Sequence, residues 1–226
     1  MMEKKELVAK LEMKNRQYKE DFGLWLEEQV ITMDETRQEK RRWPNDKEYL
    51  KDIAWVLQNV PRIAFPKSRR MMLSWILLAY SCWKLRYESG HASFWQSETF
   101  AKAAFSLSRI PMIEDNLKIA PLRKNYTTRA GGDDGIAKIT YSHPDGLKSW
   151  MLAVCQGATV LNAYTVSFLI LDECELQPFA RQTMGHVMPL IESGVQVILC
   201  SSSNGPSGVL AEWMREINFL SWKDRP

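Results

Sequence analysis

The sequence predicts an α/β protein with a mostly parallel central sheet flanked by helices and a helical N-terminal extension. Three observations predict it. Residues 167–171 and 195–200 are short, largely apolar runs, of the kind buried on both faces of a parallel sheet. Runs of this type alternate along the chain with stretches of helical length, the pattern of an α/β fold. Finally, Met71 to Trp83 is apolar apart from Ser74 and Ser81. It falls short of the roughly 20 residues that cross a bilayer, so it reads as a helix in the middle of a core.

The elements follow in order. Residues 2 to about 40 read as helix, because Leu7, Leu11, Tyr18, Phe22, Leu26 and Val30 recur at three- to four-residue spacing with gaps. Trp43-Pro44-Asn45-Asp46 marks a turn, and Asp46 is placed to cap a second helix carrying Tyr49, Leu50, Ile53, Val56 and Leu57 on one face. From Pro61 the pattern changes. Residues 62–65 are a short strand, 72–87 the apolar helix, 91–96 a strand and 98–107 a helix. Residues 136–141 and 149–155 alternate around His143-Pro144-Asp145-Gly146, which predicts a hairpin. Ala130 to Gly135, A-G-G-D-D-G, is the stretch with the most flexible composition. The division expected is an N-terminal helical region over 1–58 and an α/β core over 59–226.

Composition narrows the function classes. The 226 residues are 45% hydrophobic, enough for a sizeable core and too many for a disordered chain. Thirty basic against 27 acidic residues leave a net charge of +3, too balanced for an arm that coats nucleic acid. The four cysteines are far apart, with no C-x-x-C and three histidines in all, which argues against zinc and for a reduced intracellular thiol set. His143 and His186 have no partner at metal-ligand spacing and read as structural or surface residues. The opening M-M-E-K-K-E-L has mixed charge and no apolar core, unlike a signal peptide. Lys40-Arg41-Arg42 reads as a solvated helix end, with phosphate-backbone contact as the alternative.

Three segments carry chemistry. S-F-L-I-L-D-E, residues 167–173, is a buried strand ending in adjacent carboxylates at the sheet edge where α/β proteins bind ligands. In phosphoryl transfer one such acid holds Mg²⁺ and the next orients and deprotonates water. The plain alternative is a charged loop after a core strand. About a hundred residues earlier, P-K-S-R-R-M-M-L-S (66–74) joins a strand to the apolar helix. A strand, a tight loop and a helix N-terminus make an anion site. Lys67, Arg69 and Arg70 supply positive charge there, and Ser74 falls in the first helical turn, where a hydroxyl can ligate Mg²⁺. The loop has no glycine, and Leu73 occupies the place of the usual lysine in G-x-x-x-x-G-K-[ST]. The third segment, V-I-L-C-S-S-S-N-G-P-S-G (197–208), is a buried strand ending in hydroxyls, an amide and a glycine turn.

In this order and spacing the three segments resemble the ATPase domain of large terminase subunits, the DNA-packaging motors of tailed bacteriophages, over about residues 43–217. The resemblance implies a P-loop NTPase of the ASCE/RecA-like type. K-S-R-R-M-M-L-S is similar to the deviant lambda-type loop K-S-A-R-x-G-x-S, apart from its missing glycine. It implies that Lys67 is the phosphate lysine, that 67–74 (Lys67, Ser68, Arg69, Arg70, Met71, Met72, Leu73, Ser74) cradles ATP, and that Arg69 matches a loop arginine. L-I-L-D-E is similar to the Walker B strand, implying Asp172 on Mg²⁺ with Ser74, and Glu173 as catalytic base. S-S-S-N-G-P-S-G looks like the coupling motif, with Ser201, Ser202, Ser203 and Asn204 facing the γ-phosphate. V-L-A-E-W (209–213) looks like the helix that follows.

Two departures stand out. Where many terminases carry an arginine before the Walker B acids, this chain has Asn162 and Ala163, which leaves Arg123 and Arg129 as candidates for a trans-acting arginine and Arg69 in cis. The nuclease domain that follows in full terminases is not expected in this chain, and neither is DNA cleavage. Trp43 and Phe65 are candidates for bordering the adenine, although aromatic residues more often serve burial. The partners implied are double-stranded DNA, the portal protein of the procapsid, a small terminase subunit and further copies of the chain in a ring. The location implied is the host cytoplasm, transiently at the portal. The alternatives are a catalytically inactive assembly or DNA-binding module on a P-loop fold, and another P-loop motor such as a helicase core.

Overall fold

The computed structural model describes residues 2–34, 36–68, 71–132, 135–157, 161, 164–202, 208–216 and 220–221. Helices α1 (Met2–Glu20) and α2 (Phe22–Gln29) open the chain. They break at Asp21, whose carboxylate accepts from the Leu24 amide 2.8 Å away and caps α2. The helix predicted to run to about residue 40 ends at Gln29. Strands β1 (Ile31–Asp34) and β2 (Glu39–Arg42) form an antiparallel hairpin instead. Val30-Ile31-Thr32 favours a strand locally, and Arg41 pairs with Asp34 across the hairpin at 2.7 Å. Helix α3 (Glu48–Asn59) is capped at Lys47 without a side-chain bond, so Asp46 is not its cap.

The core strands and helices then alternate as expected: β3 (Arg62–Lys67), α4 (Leu73–Tyr87), β4 (Ala92–Ser97), α5 (Phe100–Leu107) and α6 (Arg109–Asp115). An antiparallel run follows, β5 (Tyr126–Ala130), β6 (Ile136–Ser142) and β7 (Lys148–Cys155), and A-G-G-D-D-G links its first two strands. The chain then gives β8 (Phe168–Asp172), α7 (Ala180–Glu192), β9 (Gln196–Ser202), α8 (Val209–Glu216) and the short β10 (Leu220–Ser221).

Among the described residues the main sheet has the order β10-β3-β9-β8-β4-β7-β6-β5. The first six strands are parallel neighbours, and β6 and β5 add antiparallel at one edge. Strand β9 therefore lies between β3 and β8, in register with both (Lys67 opposite Ser202, Cys200 opposite Asp172).

Each face of the sheet has its own apolar layer. On one face α4 is buried along nearly its whole length. Tyr80 on α4 makes edge contacts with Phe22 (5.0 Å) and with Phe168 of β8 (5.6 Å). The Trp83 indole donates to the Tyr18 carbonyl at 2.6 Å. The N-terminal helices thus share the core of the sheet. The other face carries Phe94, Leu169, Leu171, Val197 and Leu199 under α7 and α8. No helix among the described residues is long and apolar enough to cross a membrane.

Candidate functional site

The parallel strands β3, β9 and β8 all end at one edge, and their terminal residues make the site. Lys67 is the last residue of β3, Asp172 the last of β8, with Glu173 next. Two interstrand spacings, roughly 10 Å, separate the β3 and β8 backbones. The lysine side chain bridges this gap over β9, placing Nζ 2.9 Å from Glu173 Oε1 and 3.4 Å from Asp172 Oδ1. Burial disfavours the Lys67 ammonium, but the carboxylates of Asp172 and Glu173 beside it outweigh this and raise its pKa.

The loop explains how a chain without glycine makes this turn. Met72 occupies the position where the related pattern has glycine, and its backbone is left-handed, φ 55° and ψ 13°. That conformation costs a non-glycine residue about 1–2 kcal/mol. Tyr49 Oη donates to the Met71 carbonyl at 3.4 Å, and Met72 packs partly against the core, so tertiary contacts hold the turn. Glu173 is left-handed as well, φ 52° and ψ 38°. Of the three described non-glycine residues with positive φ, two stand at this site, where strained backbone tends to collect.

Helix α4 starts at Leu73 with no side-chain cap and no acid in its first turn. Its leading N–H groups and positive dipole end therefore meet the site. Ser74 is in that first turn and, with Lys67, Ser68, Met71, Met72, Leu73, Glu173 and Ser202, lines a cavity of about 720 Å³, well within the size range of small-molecule sites. Arg69, Arg70, Ser203 and Asn204 lie outside the described residues.

The far wall of the cavity comes from the hairpin that sequence periodicity missed. Thr32, Met33, Asp34, Arg41, Arg42, Pro44 and Lys47 line it, so the basic run Lys40-Arg41-Arg42 is an exposed strand, not a helix end, and its two arginines border a pocket. Arg109 joins them; its guanidinium stacks 5.4 Å from the Trp75 ring and 5.0 Å from that of Phe105. Nothing in the local sequence marks Arg109, because its place depends on α6 packing beside α4. The described lining carries five basic side chains against two acidic ones, suited to an anion. Trp43 and Phe65 line none of it: both are buried in the core. Arg123 donates to the Leu117 carbonyl at 2.9 Å, Arg129 is exposed on edge strand β5, and neither lines the cavity.

Strand β9 links the acids to the chain that leaves the site. Ser201 Oγ accepts from the Glu175 amide at 3.1 Å and lies 3.5 Å from Glu173 Oε2. Glu175, unmarked by any motif, accepts from the Leu210 amide at 2.5 Å and so caps α8. A Cβ on Gly208 would meet that carboxylate, which would have to swing aside and give up the cap. Cys200 Sγ lies 3.1 Å from Asp172 Oδ1, and burial pushes this thiol well above its ordinary pKa. The histidines are elsewhere. His143 Nε2 is 2.8 Å from Ser149 Oγ at the opposite end of the sheet, and His186 lies on α7.

The donor set fits a hard divalent cation bound mostly through water and phosphate. Asp172 and Ser74 would offer oxygen donors to such an ion, and no cluster of three or more His, Cys, Asp or Glu among the described residues makes an all-protein cage. One or two protein ligands are what Mg²⁺ ordinarily takes beside a nucleotide.

No protein-family model matches the sequence, and no curated protein matches it. Solved structures do. The large terminase of bacteriophage HK97 aligns with a TM-score of 0.61 at 13% identity, covering 88% of this chain and 41% of that one. The large terminase of the thermophilic bacteriophage D6E aligns in complex with ADP (TM-score 0.57, 13% identity, 77% and 44% covered). It also aligns in complex with ATP-γ-S (TM-score 0.52, 16% identity, 77% and 43% covered). The chain thus spans less than half the length of these terminases. With β9 inserted between the lysine strand and the acid strand, it has the P-loop NTPase fold found in phage large terminases.

Proposed function

We propose that the chain is the ATPase motor domain of a phage large terminase, hydrolysing ATP to drive double-stranded DNA into a procapsid. The observation that carries the reading is the reach of Lys67 to Asp172 and Glu173 over β9, at a strained loop before an uncapped helix. A lysine that reaches over a strand to two carboxylates beside an open, basic cavity is in place to exchange them for an anionic ligand. The structural likeness to terminases solved with ADP and ATP-γ-S supports a nucleotide as the ligand.

In this reading the triphosphate lies along residues 67–74, against the first amides of α4. Lys67 exchanges its carboxylate partners for phosphate oxygens, which releases Glu173 to orient and deprotonate water. Asp172 and Ser74 would hold Mg²⁺, which when bound screens the phosphate charge. Lys67 and an arginine stabilise charge developing on the γ-phosphate, a role open to Arg69 in cis or to Arg123 or Arg129 from a neighbour. Ser201, bonded to the segment that carries Glu173, passes loss of that phosphate along β9. Ser203 and Asn204 would extend that relay. DNA, the portal protein, the small subunit and neighbouring copies in a ring at the host-cell portal are the partners of such a motor.

The test is Mg²⁺-dependent ATP hydrolysis by the purified chain over a range of concentrations, with Lys67→Ala and Glu173→Ala alongside. Turnover lost in both variants supports the reading. Nucleotide binding without turnover, unchanged in Glu173→Gln, supports a catalytically silent module instead. Absence of nucleotide binding overturns the reading.

A further inference from the structure

We propose that Cys200 is a positioning residue for this site, its thiol holding the Asp172 carboxylate in the orientation that meets a nucleotide-bound divalent cation. The register of β8 and β9 sets Cys200 directly opposite Asp172, on the same face of adjacent parallel strands. Its sulfur is 3.1 Å from Asp172 Oδ1 and the residue is fully buried. The thiol donates and the carboxylate oxygen accepts. Lys67 Nζ reaches the same oxygen at 3.4 Å. Both donors therefore converge on Oδ1, which leaves Oδ2 for other partners.

The two donors are not equivalent. Lys67 also serves Glu173, and in the proposed reaction it leaves the carboxylates for phosphate. Cys200 has no such second task. It stays behind as the fixed support of Asp172 when the lysine departs, and partners of this kind tune a metal ligand strongly. Cysteine suits the position because it is a small apolar side chain with a weak donor. Its other neighbours are the core of the α4 face, where a more polar group would need a partner. Cys200 also directly precedes Ser201 and Ser202, so the strand that supports Asp172 is the strand that leads away from the site.

The inference rests on the nucleotide-site reading, but its first test does not. The S–H stretching band of Cys200, isolated as the Raman difference between wild type and Cys200→Ser, should lie at the lowered frequency of a thiol bonded to a carboxylate. A band at the frequency of an unbonded thiol overturns the proposal. The second test titrates Mg²⁺ against binding of a fluorescent ATP analogue, with melting temperature as the folding control. In Cys200→Ala the Mg²⁺ concentration for half effect should rise about tenfold, with affinity in the absence of Mg²⁺ unchanged. Cys200→Ser, which keeps a donor, should stay close to wild type. Equal Mg²⁺ dependence in Cys200→Ala, or equal loss in both variants, overturns the positioning role. Failure of wild type to bind nucleotide overturns the site reading, while the band still decides the contact.

Discussion

Two of the ionic clusters among the described residues differ in what completes them. The first is Lys67 with Asp172 and Glu173, whose side chains are 11%, 11% and 29% exposed. The second is Arg86 with Glu114, at 1% and 0%, where Nη1 and Oε1 are 2.6 Å apart. Glu114 also accepts from the Lys124 amide at 2.6 Å and from Tyr141 Oη at 3.3 Å, and Arg86 donates to the Leu122 carbonyl. Burial lowers the Arg86 pKa, but the charge of Glu114 more than offsets this and raises it; burial also pushes up the Cys82 thiol and the Tyr141 hydroxyl. Strong electrostatic perturbation is therefore no mark of function here. The sealed cluster ties α4 to α6 and to the chain before β5. The open cluster joins strand ends beside a cavity, and only there does a ligand have room to replace a partner.

The largest expected effects separate the clusters by what they damage. Glu173→Gln should lower ATP turnover by about 10²–10⁴-fold, the usual worth of a general base. Its unfolding midpoint in urea should move little, because the group is partly exposed. Arg86→Met should do the reverse, costing about 3–5 kcal/mol in urea unfolding by leaving Glu114 buried and unpaired. The double change Arg86→Met with Glu114→Leu should recover most of that loss. Turnover that falls with Arg86 while stability holds would erase the distinction.

A smaller effect tests the strained loop. Met72→Val places a β-branched residue at positive φ, adds to the strain that Met72 already bears, and should destabilise by about 1 kcal/mol more. Met72→Gly should stay within about 1 kcal/mol of wild type, since relief of strain offsets lost packing and a more flexible unfolded chain. Both are measured by chemical unfolding, with ATP turnover as the second readout.

The smallest effect reads the reach of the sealed cluster. Burial, followed by the charge of Lys124, lowers the His143 pKa. Its protonated form is thus disfavoured in the folded state. The unfolded chain takes up that proton at about pH 6.5, so the contribution of His143 is full above that pH and is lost as pH falls below it. Melting temperature measured from pH 7 to 5 should fall less steeply in His143→Gln than in wild type.

The two regions were unequally legible in the sequence. Strands β8 and β9 stood out because burial on both faces needs unbroken apolar runs, and α4 because a surrounded helix is apolar on every side. The order of their segments singles out Lys67, Asp172 and Glu173, which the structure brings within ion-pair distance. The hairpin over 31–42 was not, because E-K-R-R is exposed throughout and carries no alternation. Edge strand β5, Y-T-T-R-A, was missed for the same reason. Arg109, Glu175 and Cys200 owe their places to register and helix packing, which no single segment encodes. Trp43 and Phe65 went to the core, as aromatic residues usually do.

The left-handed turn at Met72 has a consequence beyond this chain. The turn into α4 is specified here by a pair of dihedral angles, and the residue that adopts them is secondary. A pattern spelled in glycines recognises the cheapest occupant of that conformation and passes over any loop whose surroundings impose the same angles on a larger side chain. Comparison of backbone trace detects such loops where comparison of letters does not.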